Sequence, residues 1–104
     1  MSAYQLLIAP SAQNDLRAIV RYISDELKEP ETAQRQYFRI KEAILGLNEM
    51  PERYAIAKDG PLALLRIRKI PVDHYLVFFT VDHERQAVKV IRVLYGKREW
   101  ESLL

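Results

Sequence analysis

The sequence predicts one α+β domain in two layers, a helical hairpin packed on a four-stranded antiparallel sheet in spatial order 1-4-3-2. Three observations carry this expectation. Two runs rich in Val, Ile, Phe and Tyr, Tyr75 to Val81 and Ala87 to Tyr95, are separated by the polar Asp82 to Gln86, as in an antiparallel hairpin. Two stretches of helical periodicity are parted only by Lys28, Glu29 and Pro30, a break short enough for antiparallel helices. Further strand signals, Tyr4 to Ala9 and Leu64 to Ile70, stand before and after those helices. The element order is therefore β-α-α-β-β-β, and strict alternation of strand direction would set the first and last strands antiparallel as neighbours.

In the first strand Tyr4, Leu6 and Ile8 share one side and Gln5 and Leu7 the other. Pro10 closes it, and Ser11 is the expected helix N-cap, with Asp15 favourably placed against the helix dipole. Ala12, Leu16, Ile19, Val20, Ile23 and Leu27 then fall at core-facing spacing, with Arg17, Arg21, Asp25 and Lys28 opposite. Pro30 suits the first turn of the second helix, where its missing N–H has no partner to lose. Ala33, Tyr37, Ile40, Ile44 and Leu47 form its buried stripe, and Pro51 stops it near Met50. Glu52 to Leu62 reads as an ordered loop, and Leu64 to Ile70 as a strand ending at Pro71. In that strand Leu65 and Ile67 alternate with Arg66 and Arg68, so two guanidinium groups share one face. On the next strand Leu76 and Phe78 face away from Tyr75, Val77, Phe79 and Val81.

The 104 residues are read as a single domain, 1–104, large enough for one hydrophobic core. The absence of cysteine excludes disulfides, thiolate metal sites and a cysteine nucleophile. The start, MSAYQLLIAP, has neither a basic leader nor a membrane-length apolar run, so a cytoplasmic protein without membrane contact is expected. A net charge of only +2 means that any nucleic-acid reading rests on where the charges lie.

Across nearly its whole length the chain resembles the RelE/ParE superfamily of type II toxin–antitoxin toxins. The resemblance lies in the early strand, in SAQNDLRAIVRYISDEL followed by PETAQRQYFRIKEAILGLNEMPERY, in the basic LRIRKI, in YLVFFTVD and in the closing VIRVLYGKREW. It implies a growth-arresting toxin masked by a cognate antitoxin, in a toxin–antitoxin heterotetramer, without a cofactor. RelE-like members cut mRNA on the ribosome with basic residues and a terminal tyrosine or histidine. Arg66, Arg68 and Arg98 match that pattern, but Leu76 and Leu104 stand where it has an arginine and a tyrosine. ParE-like members bind DNA gyrase and need no such set. The long hairpin and Leu76 lean toward that branch.

RNA cleavage through a 2′-hydroxyl requires a base, charge stabilisation and a proton for the leaving oxygen. On that reading Arg66, Arg68 and Arg98 clamp phosphate while Tyr95 or Lys97 moves a proton. On the binding reading the open sheet face with Leu76 and Phe78, together with Arg92, Trp100, Leu103 and Leu104, meets protein partners. Arg92 reads equally as a snorkelling edge residue, and Trp100, Leu103 and Leu104 as a tail docked on the body. Tyr37, Phe38, Tyr54 and Tyr75 read as core or core-edge residues. His74 and His83 are isolated, and Asp59, Asp73 and Asp82 form no matched ligand set, so no metal is expected.

Overall fold

Strand β1 (Gln5–Ile8) directs Leu6 and Ile8 inward and Gln5 and Leu7 outward, as its period-2 pattern requires. The computed structural model describes residues 3–56 and 60–96. Helix α1 (Pro10–Arg21) follows at once, with Pro10 in its first turn, and runs into a π-helical turn, Tyr22–Glu26. Helix α2 (Pro30–Leu45) returns and tightens into a 3-10 turn at Gly46–Asn48. A second 3-10 turn (Pro51–Arg53) and the short helix α3 (Gly60–Leu64) lead to β2 (Arg68–Val72), β3 (Tyr75–Asp82) and β4 (Ala87–Tyr95).

The sheet order is β1-β4-β3-β2, as the sequence predicts. One pairing departs from strict alternation: β1 pairs with β4 in parallel, Gln5 opposite Ala87 and Ile8 opposite Val90. The reason lies in the path of the helices. Ser11 Oγ donates to the Ile91 carbonyl and Asp15 accepts from the Val93 N–H, so α1 advances in the direction of β1. Helix α2 then descends from Asp73, where Gln36 and Arg39 bind, to the start of β1, where Tyr4 N–H donates to the Asn48 carbonyl. The hairpin thus returns the chain to the end where β1 began. Strand β2 then starts level with Ile8, the last residue of β1, and runs on in the same direction, so two antiparallel pairings later β4 runs with β1.

The main core lies between the sheet and the helices: Leu16, Ile40, Ile44, Leu47, Val77, Phe79, Val88, Val90 and Val93 are all buried. Leu27, assigned to the same stripe by its spacing, is exposed because the π turn adds a residue to the winding and ends the helix before it. Phe38 is likewise exposed, on the outer face of α2, rather than at the core edge.

A second, smaller core covers the opposite sheet face, where Leu62 and Ile67 close over Phe78 and Leu94. Its lid corrects the expected loop and strand. Leu64 and Leu65 are 86% and 61% exposed, and the segment before β2 is helical rather than extended. Ile67 N–H donates to the Leu62 carbonyl and Arg66 N–H to the Ala63 carbonyl, the paired bonds of a Schellman helix end. Arg66 occupies the left-handed position of that motif, with φ of 57°, and Leu62 and Ile67 supply its apolar contact. Arg66 is therefore in a turn and shares no strand face with Arg68. Pro71 lies within β2 because β2 is an edge strand, where a missing N–H is tolerated.

Candidate functional site

Between β3 and β4 the register shifts at Phe78/Phe79: Phe78 pairs with Arg92 and Phe79 with Val90, so Ile91 is an extra residue. Such a bulge turns neighbouring side chains and disturbs the ladder. Two side chains of α1 meet the backbone there. Ser11, expected as a helix cap, instead donates its hydroxyl to the Ile91 carbonyl at 2.8 Å. The helix has Ala9 at its N-cap and no side-chain cap. Asp15 accepts the Val93 N–H at 2.9 Å and both Nε and Nη2 of Arg92, at 2.7 and 2.9 Å. The Asp15 carboxylate raises the affinity of Arg92 for its proton above the ordinary guanidinium value. Arg92 is thus tied into the fold.

Beyond this staple a cleft of about 780 Å³ opens between the end of α1 and the ends of β3 and β4. Ile19, Tyr22, Ile23, Leu27, Tyr75 and Tyr95 wall it. The π turn places consecutive Tyr22 and Ile23 on this wall, and π turns recur at functional sites. Tyr75 and Tyr95 face each other across the ladder with rings edge-to-face at 5.8 Å, and His74 lies 6.5 Å from the Tyr95 ring. Burial, and then the neighbouring phenols of Tyr95 and Tyr22, push the Tyr75 hydroxyl above its usual pKa. Tyr22, Leu27 and Tyr95 remain 55%, 51% and 38% exposed. Gly96 follows Tyr95: its N–H donates to the His74 carbonyl at 2.8 Å, and a Cβ there would approach that oxygen at 3.3 Å.

The cleft is built for apolar contact. Asp15 is its acidic lining residue, and that carboxylate already holds Arg92 and Val93. Among the described residues no group of three His, Asp or Glu could hold a metal ion.

The basic residues are distributed differently. Arg68 directs Nη1 to the Tyr54 carbonyl at 2.6 Å and the Glu52 carbonyl at 3.2 Å, holding the segment beyond Pro51 against the sheet. Arg66 is exposed on its turn. Arg68 pairs with Phe79 and Phe79 with Val90, so Tyr95 lies five residues farther along β4, roughly 15 Å at strand rise. Arg68, level with the middle of β4, and Arg66, in the turn before β2, are therefore both well separated from Tyr95. Phe78 is completely buried under Leu62 and Ile67, and Leu76 is half-buried beside it. Lys97, Arg98, Trp100, Leu103 and Leu104 lie outside the described residues.

The sequence pattern places Leu27 on the core stripe and does not single out Tyr22; the π turn, in which Leu27 N–H donates to the Tyr22 carbonyl, brings both to the cleft. Nothing in the sequence pattern joins Asp15 to Arg92, which are 77 residues apart.

A helical hairpin on a four-stranded sheet of this order defines a RelE/ParE-type toxin fold. The model for the ParE toxin of the type II toxin–antitoxin system parDE matches residues 6–100, and the chain belongs to that family. Among solved structures, the chromosomal ParDE system of P. aeruginosa contains a chain 19% identical, with a TM-score of 0.75, covering 91% of this chain and 98% of that one. The RelBE2 toxin–antitoxin complex of Mycobacterium tuberculosis gives 19% identity and a TM-score of 0.64, covering 91% and 93%. The isolated E. coli RelE toxin gives 21% identity and a TM-score of 0.60, covering 97% and 94%. No curated protein sequence matches the chain.

Proposed function

We propose that this toxin inhibits DNA gyrase as a binding protein, and that its cognate antitoxin silences it by covering the tyrosine-walled cleft. The observation that carries the reading is the separation of Arg68 from Tyr95. Phosphodiester cleavage needs charge stabilisation and proton transfer converging on one phosphate. Here Arg68 is bonded to backbone carbonyls and Tyr95 stands at the far end of the sheet. A binding protein needs exposed aromatic and aliphatic surface instead, and Tyr22, Leu27 and Tyr95 supply it.

Ribosome-dependent mRNA cleavage is the second reading, with Arg66, Arg68, Tyr95, Lys97 and Arg98 as its site. It is favoured by the exposed Arg66 side chain and by the shared fold of the RelE structures. The deciding experiment is induction in bacteria without the antitoxin, following DNA and protein synthesis separately by precursor uptake. An early fall in DNA synthesis with gyrase-linked breaks supports the gyrase reading. An early fall in translation with mRNA cut at ribosomes overturns it in favour of the enzyme. No effect on growth leaves a toxin-like binding module.

A further inference from the structure

Helix α2 turns Ala33, Ile40 and Ile44 into the core, and its opposite face carries Phe38 and Leu45, both more than half exposed. These two are seven residues apart, so at 3.6 residues per turn they stand two turns apart on one line of the helix, within about 20° of each other. Large apolar side chains aligned in solvent mark a contact surface, as scattered ones do not. Lys41 and Glu42 stand between them, about 50° to either side of that line. Lys41 Nζ lies 3.4 Å from the Tyr37 hydroxyl and 5.7 Å from the centre of its ring. Among the described residues neither Lys41 nor Glu42 forms an ion pair. Across the helix the face is therefore cation, apolar line, anion. It is separate from the tyrosine-walled cleft, to which α2 contributes Thr32 and Gln36, and from the shallower groove between α1 and α2, to which it contributes Gln34 and Tyr37.

We propose that this face joins two copies of the chain, α2 beside α2 in parallel, about a two-fold axis running along the helices. Such an axis sets one flank of each helix against the opposite flank of its copy. Lys41 of either copy then meets Glu42 of the other, and between these two ion pairs Phe38 packs on Phe38 and Leu45 on Leu45, as in a parallel coiled coil. An antiparallel pair would set each flank against its own kind, Lys41 near Lys41 and Glu42 near Glu42, where like charges oppose association. An acidic or a basic partner would match one flank and be repelled by the other, whereas a second copy satisfies both. The contact is centred between Phe38 and Leu45, and the usual crossing angle of packed helices splays the first turn, with Glu31, away from its copy. An interface this short falls below the size of a permanent one, so pairing is concentration-dependent. Because the cleft lies on another side of α2, the pair carries two open clefts, whichever target the toxin acts on.

The test is sedimentation equilibrium of the purified full chain over a rising concentration series, with thermal unfolding of each variant as the check on its fold. The parent passes from monomer to dimer, and F38E, a change at an exposed position, weakens pairing about tenfold or more. K41E and E42K each weaken it as well, and K41E/E42K, which exchanges the two charges, restores it to within about twofold of the parent. A chain that stays monomeric throughout the series overturns the pairing. A dimer indifferent to F38E overturns the assignment to this face. A dimer that the single charge variants leave unchanged, or that the double variant fails to restore, overturns the parallel arrangement. Weaker antitoxin binding or lower toxicity of F38E in a chain that never pairs assigns the face to a partner protein and overturns the second copy. The gyrase reading is decided separately, by the synthesis assays above, and stands or falls without the dimer.

Discussion

Arg92 grips both carboxylate oxygens of Asp15, Nε to Oδ2 at 2.7 Å and Nη2 to Oδ1 at 2.9 Å, and through that pair the bulged stretch of β4 is fastened to α1. The side chains are 24% and 13% exposed, so the pair is screened less than a surface ion pair. Asp15→Ala leaves Arg92 and the Val93 N–H without their acceptor. It is expected to lower stability by about 1–3 kcal/mol in urea unfolding. Arg92→Met, which keeps the aliphatic stem, costs less, and the double variant costs less than the sum of the two singles.

Arg66 sits at the left-handed position that closes α3, a conformation that costs a non-glycine residue about 1 kcal/mol. Arg66→Gly is therefore expected to raise the unfolding free energy by about 0.5–1 kcal/mol. Measuring toxicity on the same variant separates the two functional readings. A gyrase binder keeps its toxicity, and a ribonuclease that uses Arg66 on phosphate loses it.

Phe78 has no exposed surface and closes the second core with Leu62, Ile67 and Leu94. Phe78→Ala should cost about 3–5 kcal/mol by chemical denaturation. Loss of antitoxin binding should then track the unfolded fraction, as expected of a core residue. Reduced affinity in a fully folded variant would return Phe78 to the partner surface.

The sequence made the two long strands legible to within a residue because Val, Ile, Phe and Tyr fill them on both faces and turn residues bound them. The helical hairpin was legible from its stripe and from Pro30. The segment before β2 was misread because Leu65, Arg66, Ile67 and Arg68 alternate as a strand does. What decides that segment is the carbonyl of Leu62 meeting the N–H of Ile67, a closure that polarity patterns do not encode. The parallel β1–β4 pairing was missed for a related reason: strand alternation assumes that each connection reverses the chain, whereas a helical pair returns it to its start. The cleft depended on the π turn, whose single inserted residue moved Leu27 from core to rim.

Asp73 holds φ of 55° in the turn between β2 and β3 and is bound by Arg39 and Gln36 of α2. Those hydrogen bonds, Arg39 first, hold its carboxyl below the ordinary value of 3.8. A lowered folded-state pKa stabilises the fold above the unfolded value and loses that contribution as pH falls through the folded one. The difference in melting temperature between the parent and Asp73→Asn is therefore expected to be largest near neutrality and to shrink as pH drops below about 4. A difference that is constant from pH 7 to pH 3 would mean that the carboxylate charge contributes nothing.

The cleft yields the sharpest separation between binding and folding. Tyr22 and Leu27 stand on its rim more than half exposed, so truncating either removes little buried area. Leu27→Ala and Tyr22→Ala are each expected to change stability by no more than about 0.5 kcal/mol. If the antitoxin fills the cleft, the same truncations remove anchor contacts that become buried only in the complex, and affinity should fall about tenfold or more, measured by calorimetry. Tyr75 provides the contrast, since it is half-buried and packs against the main core as well as against Tyr95. Tyr75→Ala should lower stability and affinity together. Unchanged affinity in both rim variants would move the antitoxin off the cleft, and a matching loss of stability would make Tyr22 and Leu27 part of the core.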